Sequence, residues 1–214
     1  MTALKMGWVI FVITAAVAAY YIGTAPAGIE IPVHWGIDGT PDRYGSVTEG
    51  MATPPGVMLL VLTIMSVLKW LEPRQENLKR SNKARGWIAL AVVMLMAVLE
   101  VGNVFIVEGH DVPMTRVVFV GVGLMFVIMG NFFGKIRSNF FIGVRTPWTL
   151  SSDEVWRQTH RLSGKIFMLA GALLMPVAWI APEGWLFYTM LFVMIPTILT
   201  PLVYSWWLWK KEQN

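Results

Sequence analysis

Few side chains in this 214-residue sequence have the chemistry to act on a ligand, and their positions restrict what they can do. His34, Asp38, Asp42 and Arg43 fall in one short polar stretch, and His110 and Asp111 lie in another. Two imidazoles with carboxylates are donors suited to zinc. No tight ligand spacing such as His-Glu-x-x-His joins them, so no metal site and no cofactor are expected. The sequence has no cysteine, which removes thiolate nucleophiles, thiolate metal sites and disulfides. No nucleophile elbow, P-loop, zincin motif or dinucleotide fingerprint is present, and three histidines offer little for acid–base work. The sequence is not that of an enzyme.

Glu100 is the sharpest ionisable group, because it stands alone in a long apolar run. A carboxylate inside a membrane span costs about 2.5–3.5 kcal/mol on insertion scales and usually marks a pair or a pathway. Asn103 lies one turn further on the same helix face and Arg116 opens the next apolar run. Three readings follow: a Glu100–Arg116 ion pair, a proton or cation site, or a side chain snorkelling toward water.

The elements that must position these groups follow from composition. The chain is 56% hydrophobic and 14% charged, against roughly 25% charged residues in soluble domains. Six runs reach the length of about 17–25 residues that a membrane-crossing helix needs: Met6–Ala25, Met51–Leu68, Gly86–Val107, Val117–Gly134, Ile166–Pro182 and Gly184–Trp209. The fold class is therefore an all-α membrane protein with six transmembrane helices, and its first partner is the lipid bilayer. The first run is too long for a signal-peptide core and is read as an uncleaved span.

Basic residues resist translocation, and with the N-terminus inside, fifteen Lys and Arg fall in cytoplasmic segments and two, Arg43 and Arg116, outside. Both termini are expected in the cytoplasm. This bias explains the net charge of +4 without direct nucleic acid binding. Residues 26–53 then form a small extracellular cap: "IEIPVHW" alternates as a short strand does and "DGTPD" supplies a turn. Seven acids against two bases on that side would attract a cationic peptide.

The inner segment 135–161 carries the densest pattern. Pro147 forces Thr146 out of helical dihedrals, so the fourth span cannot simply continue. Ser151 and Glu154 have capping-box spacing and Asp153 favours the same helix start, so a new helix is predicted from near Ser152. Arg157, Arg161 and Lys165 recur every four residues on one face of it, as a lipid-phosphate-facing edge or a docking stripe for a partner. This helix is expected to lie at the interface before helix 5. Trp148 and Trp156 are read as interfacial anchors and His160 as a boundary residue. Gly130, Gly134 and Gly143 serve close helix approach or positive φ. Asn131 and Asn139 are placed to cap a broken helix or to hydrogen-bond between helices. Arg145 has three roles open: clamping carbonyls at the end of the fourth span, pairing with Asp153 or Glu154, or binding an anionic ligand.

The stretch "GNFFGKIRSNFFIGVRTPWTLSSDEVWRQTHRLSGK", Gly130 to Lys165, resembles the C-terminal signature of the SdpI family of bacterial membrane proteins. It pairs Gly-Asn, Gly-Lys, Asn-Phe-Phe-Ile-Gly, Arg-Thr-Pro-Trp-Thr-Leu, Val-Trp and Thr-His-Arg at the family's spacing. The stretch "IPVHWGIDGTPDRYGS" is similar to the N-terminal module that many relatives carry. The resemblance implies two modules: residues 1–85, with the cap 26–53 and a basic cytoplasmic loop 72–85, and residues 86–214, with the motif 130–165. It also implies an immunity protein of the bacterial cell membrane that protects against a secreted peptide toxin outside and signals through a transcriptional repressor inside. Asn131, Gly134, Lys135, Asn139, Gly143, Arg145, Thr146, Pro147, Trp148, Trp156, His160 and Arg161 become the candidate partner-binding residues. His34, Asp38, Asp42 and Arg43 are the candidates on the cap. A small transporter or ion pathway through Glu100, with Thr63, Asn103, Thr197, Thr200 and the proline-bearing sixth span, is the competing reading.

Overall fold

A computed structural model describes residues 1–213 as eight helices and one hairpin. Six helices are long and apolar enough to cross a membrane: α1 (Ala3–Thr24), α2 (Val47–Leu71), α4 (Asn82–Val107), α5 (Met114–Phe133), α7 (Asp153–Ile180) and α8 (Glu183–Gln213). Two short helices, α3 (Gln75–Arg80) and α6 (Pro147–Ser151), sit in the connections at one end of the bundle. Strands β1 (Glu30–Trp35) and β2 (Pro41–Ser46) sit at the other, so the fold is mostly rather than wholly helical.

The long helices alternate in direction. The start of α1 meets the start of α4, and Ser152 at the head of α7 bonds Glu212 in the last turn of α8, so both chain ends lie at the α3/α6 end. Large apolar side chains cover the outside, Phe192 and Ile180 each 79% exposed, as lipid contact requires.

The expected strand and turn form an antiparallel hairpin in which Glu30 pairs with Ser46 and Ile31 with Gly45. Gly39, at φ 83°, makes the turn possible. The hairpin is seated by Ile31, which is 1% exposed and packs with Ala18, Val47 and Met51. A Cβ on Gly50 would meet the tip of the Ile31 side chain, so glycine lets Ile31 lie close against α2.

Helices α5 and α7 make the most intimate contact. Gly130 faces Gly164, and Gly123 faces Gly171, an equal seven-residue spacing on two antiparallel helices. A Cβ on Gly130 would stand 2.6 Å from the Gly164 carbonyl oxygen, and one on Gly123 2.9 Å from that of Gly171. Small residues here let the backbones touch, which is how helices associate where lipid is as apolar as leucine.

A proline inside a span (Pro54) and one just past a span's end (Pro182) leave carbonyls without an amide partner, and polar side chains from neighbouring helices answer both. Pro54 cannot donate to Gly50, and the Asn103 amide donates to the Gly50 carbonyl at 3.0 Å instead. Pro182 cannot donate to Ala178, and Arg116 Nη1 does so at 2.6 Å.

The expected break after the fourth span occurs, with different chemistry. Ser151 and Glu154 form no capping box: the Ser151 hydroxyl donates to the Trp148 carbonyl, while Glu154 is taken by Arg157 and Gln158. The capping box lies at α6, where Thr146 and Thr149 satisfy each other's amides. Ser152 caps α7 through the Val155 amide at 3.2 Å. From there α7 runs unbroken for 28 residues, about 42 Å, and exceeds a bilayer core of ~30 Å.

Candidate functional site

The segment 134–152 has little regular structure, yet its side chains are almost all accounted for. Asn139 is 0% exposed and fully used: its Oδ1 accepts from the amides of Phe141 and Ile142, and its Nδ2 donates to the carbonyls of Arg137 and Ile142. One amide thus folds the loop around itself. His160 does the second half of the work from α7. Its Nε2 accepts the Val144 amide at 2.9 Å, which places the proton on Nδ1, within 2.8 Å of the Trp156 carbonyl. The ring is therefore neutral, with a fixed tautomer.

Gly143 makes this contact possible. Its φ of 109° lies outside the range of ordinary residues, and a Cβ there would collide with His160 Nε2. Trp156 stacks on His160 at 4.0 Å between ring centroids and donates its indole N–H to the Ile136 carbonyl. Asn139, Gly143, Thr146, Trp156 and His160 are therefore one buried unit. Trp156 is 2% exposed and His160 0%, so neither is the interfacial or boundary residue expected. Of the three roles open for Arg145, the loop clamp is the one found: Nη1 donates to the Phe140 carbonyl at 2.9 Å, within the loop rather than at the end of α5. Asn131, Gly134, Lys135, Pro147 and Arg161 are exposed around this unit, and Trp148 is half-buried. Gly130 and Gly143 have the structural duties expected of them, whereas Gly134 has ordinary helical dihedrals and room for a Cβ.

A second set of residues closes the unit from the α2–α4 connection. Glu72, 1% exposed, accepts from the Arg74 amide with one oxygen and from the Phe140 amide with the other. Arg74 bonds Ser138 and the Leu150 carbonyl and lies over the Phe140 ring. Asn77 donates to the Ser138 carbonyl, and the Ser81 hydroxyl accepts from the Arg137 amide. No motif marks these residues. In the sequence the run "LEPRQENLKRSN" registers only as a charge count, although its density of short polar side chains between two spans is an available signal.

The hairpin candidates are paired and exposed. His34 Nδ1 meets Asp42 at 2.6 Å and Arg43 meets Glu49 at 2.7 Å. Asp38 accepts from the Thr40 hydroxyl and amide, which hold its carboxyl below the usual carboxylate range, the hydroxyl most strongly. His110 and Asp111 do not join them, and among the described residues no group of three or more His, Cys, Asp or Glu side chains assembles.

Glu100 is 2% exposed, and neither of its oxygens has a hydrogen-bond partner. The expected pair with Arg116 does not form. Arg116 is committed to the Ala178 carbonyl and to Glu183, 3.5 Å away, because it sits at the foot of α5 where α7 ends.

Six helices long and apolar enough to cross a membrane define a multi-pass membrane protein. Residues 135–205 match the SdpI/YfhL protein family, and residues 9–59 match a domain of unknown function (DUF1648). Across 179 residues the chain is 25% identical to immunity protein SdpI of Bacillus subtilis (strain 168), covering 82% of this chain and 80% of that one. The chain is thus similar to the SdpI/YfhL family over about its C-terminal third and to one immunity protein over most of its length. No solved structure matches it.

Proposed function

We propose that the protein protects a bacterium against a secreted antimicrobial peptide, by binding and without turnover, and that the segment 130–165 passes the bound state to a cytoplasmic partner, a transcriptional repressor. The supporting observation is the buried unit around Asn139 and His160, tied to both halves of the chain by Glu72, Arg74, Asn77 and Ser81. A perturbation of the bundle would reach the 134–152 segment through these bonds. The similarity to immunity protein SdpI supplies the direction of the reading.

In this proposal the α3/α6 end, with fifteen of the seventeen Lys and Arg, faces the cytoplasm, as the positive-inside rule requires. The hairpin and its acids face outward, where they draw a cationic peptide. Residues 1–85 act as the receiving module and 86–214 as the responding one. The exposed Arg157, Arg161 and Lys165, at the head of α7 and level with the headgroups, provide the docking edge.

The test is survival and membrane potential of a toxin-sensitive bacterium exposed to a membrane-active secreted peptide, with and without the protein. Protection by the wild type that is lost in Arg145→Ala, at equal membrane insertion, is the expected result. Equal killing with and without the inserted protein would refute the immunity reading. A second reading, an ion pathway, is favoured by one observation, the partnerless oxygens of Glu100. It requires proton or cation flux in proteoliposomes that Glu100→Gln abolishes.

A further inference from the structure

Two helices begin side by side at the α3/α6 end, α1 at Ala3 and α4 at Asn82, and a cavity of about 460 Å³ lies between their first turns. Its walls include Thr2, Leu4, Asn82, Lys83, Arg85 and Trp87. The amide ends of both helices carry partial positive charge. Neither first turn contains an acid to offset it. Helix α4 also lacks a side-chain cap: the Ser81 hydroxyl, in the capping position, is engaged by the Asn77 carbonyl and the Arg137 amide.

Arg85 is the decisive residue. It is 9% exposed, and its Nε and Nη1 are buried without any hydrogen-bond partner. A buried guanidinium with unmet donors is costly, and Arg85 lines the cavity, where a phosphate or carboxylate would answer its charge. Lys83 adds a further cation, and no acid lines the cavity. We infer that this cavity is an anion site for a phosphate group, and that the phosphate belongs to an anionic phospholipid. Leu4, Met6 and Trp87 give it an apolar wall continuous with two membrane-crossing helices, which suits an acyl chain and not a free ion. The bound lipid stitches the α1 and α4 starts together, where the two helices already touch at Gly86: a Cβ there would stand 3.4 Å from the Leu4 backbone nitrogen.

The experiment uses the delipidated full chain in neutral detergent. Native mass spectrometry and thermal unfolding are recorded with dioleoylphosphatidylglycerol, with dioleoylphosphatidylcholine and with inorganic phosphate, for the wild type, Arg85→Gln and Lys83→Glu. The expected result is retention of phosphatidylglycerol about tenfold tighter than phosphatidylcholine in the wild type, with this preference lost in both variants. Lys83 is exposed, so its variant reports on the site even if Arg85→Gln fails to fold. Stabilisation by inorganic phosphate equal to that by phosphatidylglycerol, and lost in Lys83→Glu, keeps the anion site but overturns the lipid as its source. Equal retention of both lipids with no phosphate effect, or an unchanged preference in the variants, overturns the site.

Discussion

The loop unit around Asn139 and the mid-helix carboxylate of Glu100 are both polar and both buried, yet their hydrogen bonding is opposite. Asn139 and His160 have every polar side-chain atom bonded to backbone groups, all but the Trp156 carbonyl of α7 in a segment that cannot satisfy itself. Glu100 has two oxygens and no partner. A satisfied buried group specifies one conformation, whereas an unsatisfied one costs free energy. The first is architecture, and removing it should hurt folding. The second should be dispensable to folding.

The largest expected effect is at the satisfied unit. Gly143→Ala forces a left-handed backbone on alanine and drives its Cβ into the His160 ring, and Asn139→Ala strands two amides and two carbonyls. Each should lower stability by about 3 kcal/mol or more, read as unfolding of the detergent-solubilised protein. A change below about 1 kcal/mol in both would show that the loop holds its shape by other means. Next comes the α5–α7 seam, where Gly130→Leu must push the helices apart against the Gly164 carbonyl. A loss of about 2 kcal/mol is expected there.

Glu100→Gln breaks the comparison from the other side. Replacing a partnerless carboxylate by its neutral isostere should leave stability within about 1 kcal/mol of the wild type or raise it. Marked destabilisation would mean that Glu100 has a partner in the membrane and belongs with Asn139 as architecture.

The two groups also differ in how far they could be read from the sequence. The six spans were legible because apolar length alone defines them in a bilayer, and the hairpin because alternation and turn residues coincide in 29–46. The break at Thr146–Pro147 was legible from proline sterics, but the caps were not, since the spacing of Ser151 and Glu154 points to a box that packing gives to Thr146 and Thr149. His160 and Trp156 could not be recognised as core, because their burial depends on a backbone to either side of Asn139 curling over them. Nor could the partner of Arg116 be named: it is the Ala178 carbonyl in the last turn of α7, 62 positions away, and only the fold brings them together. Contacts made by one residue type to any carbonyl leave no trace in a motif.

The smallest effect belongs to the exposed hairpin, where partners exist but water competes for them. The Thr40 hydroxyl and amide hold the Asp38 carboxylate below its ordinary range, so its contribution is complete above the unfolded value of about 3.9 and fades as pH falls through the lower folded value. Acid should therefore loosen the 36–40 turn alone. Amide exchange of Thr40 reads this directly: it should quicken in Asp38→Ala at neutral pH, and in the wild type only in acid, with the midpoint of bundle unfolding unmoved. The hairpin is anchored by Ile31 and Gly50, not by its turn, so a shift of the whole bundle in Asp38→Ala would contradict the separation between exposed pairing and buried satisfaction.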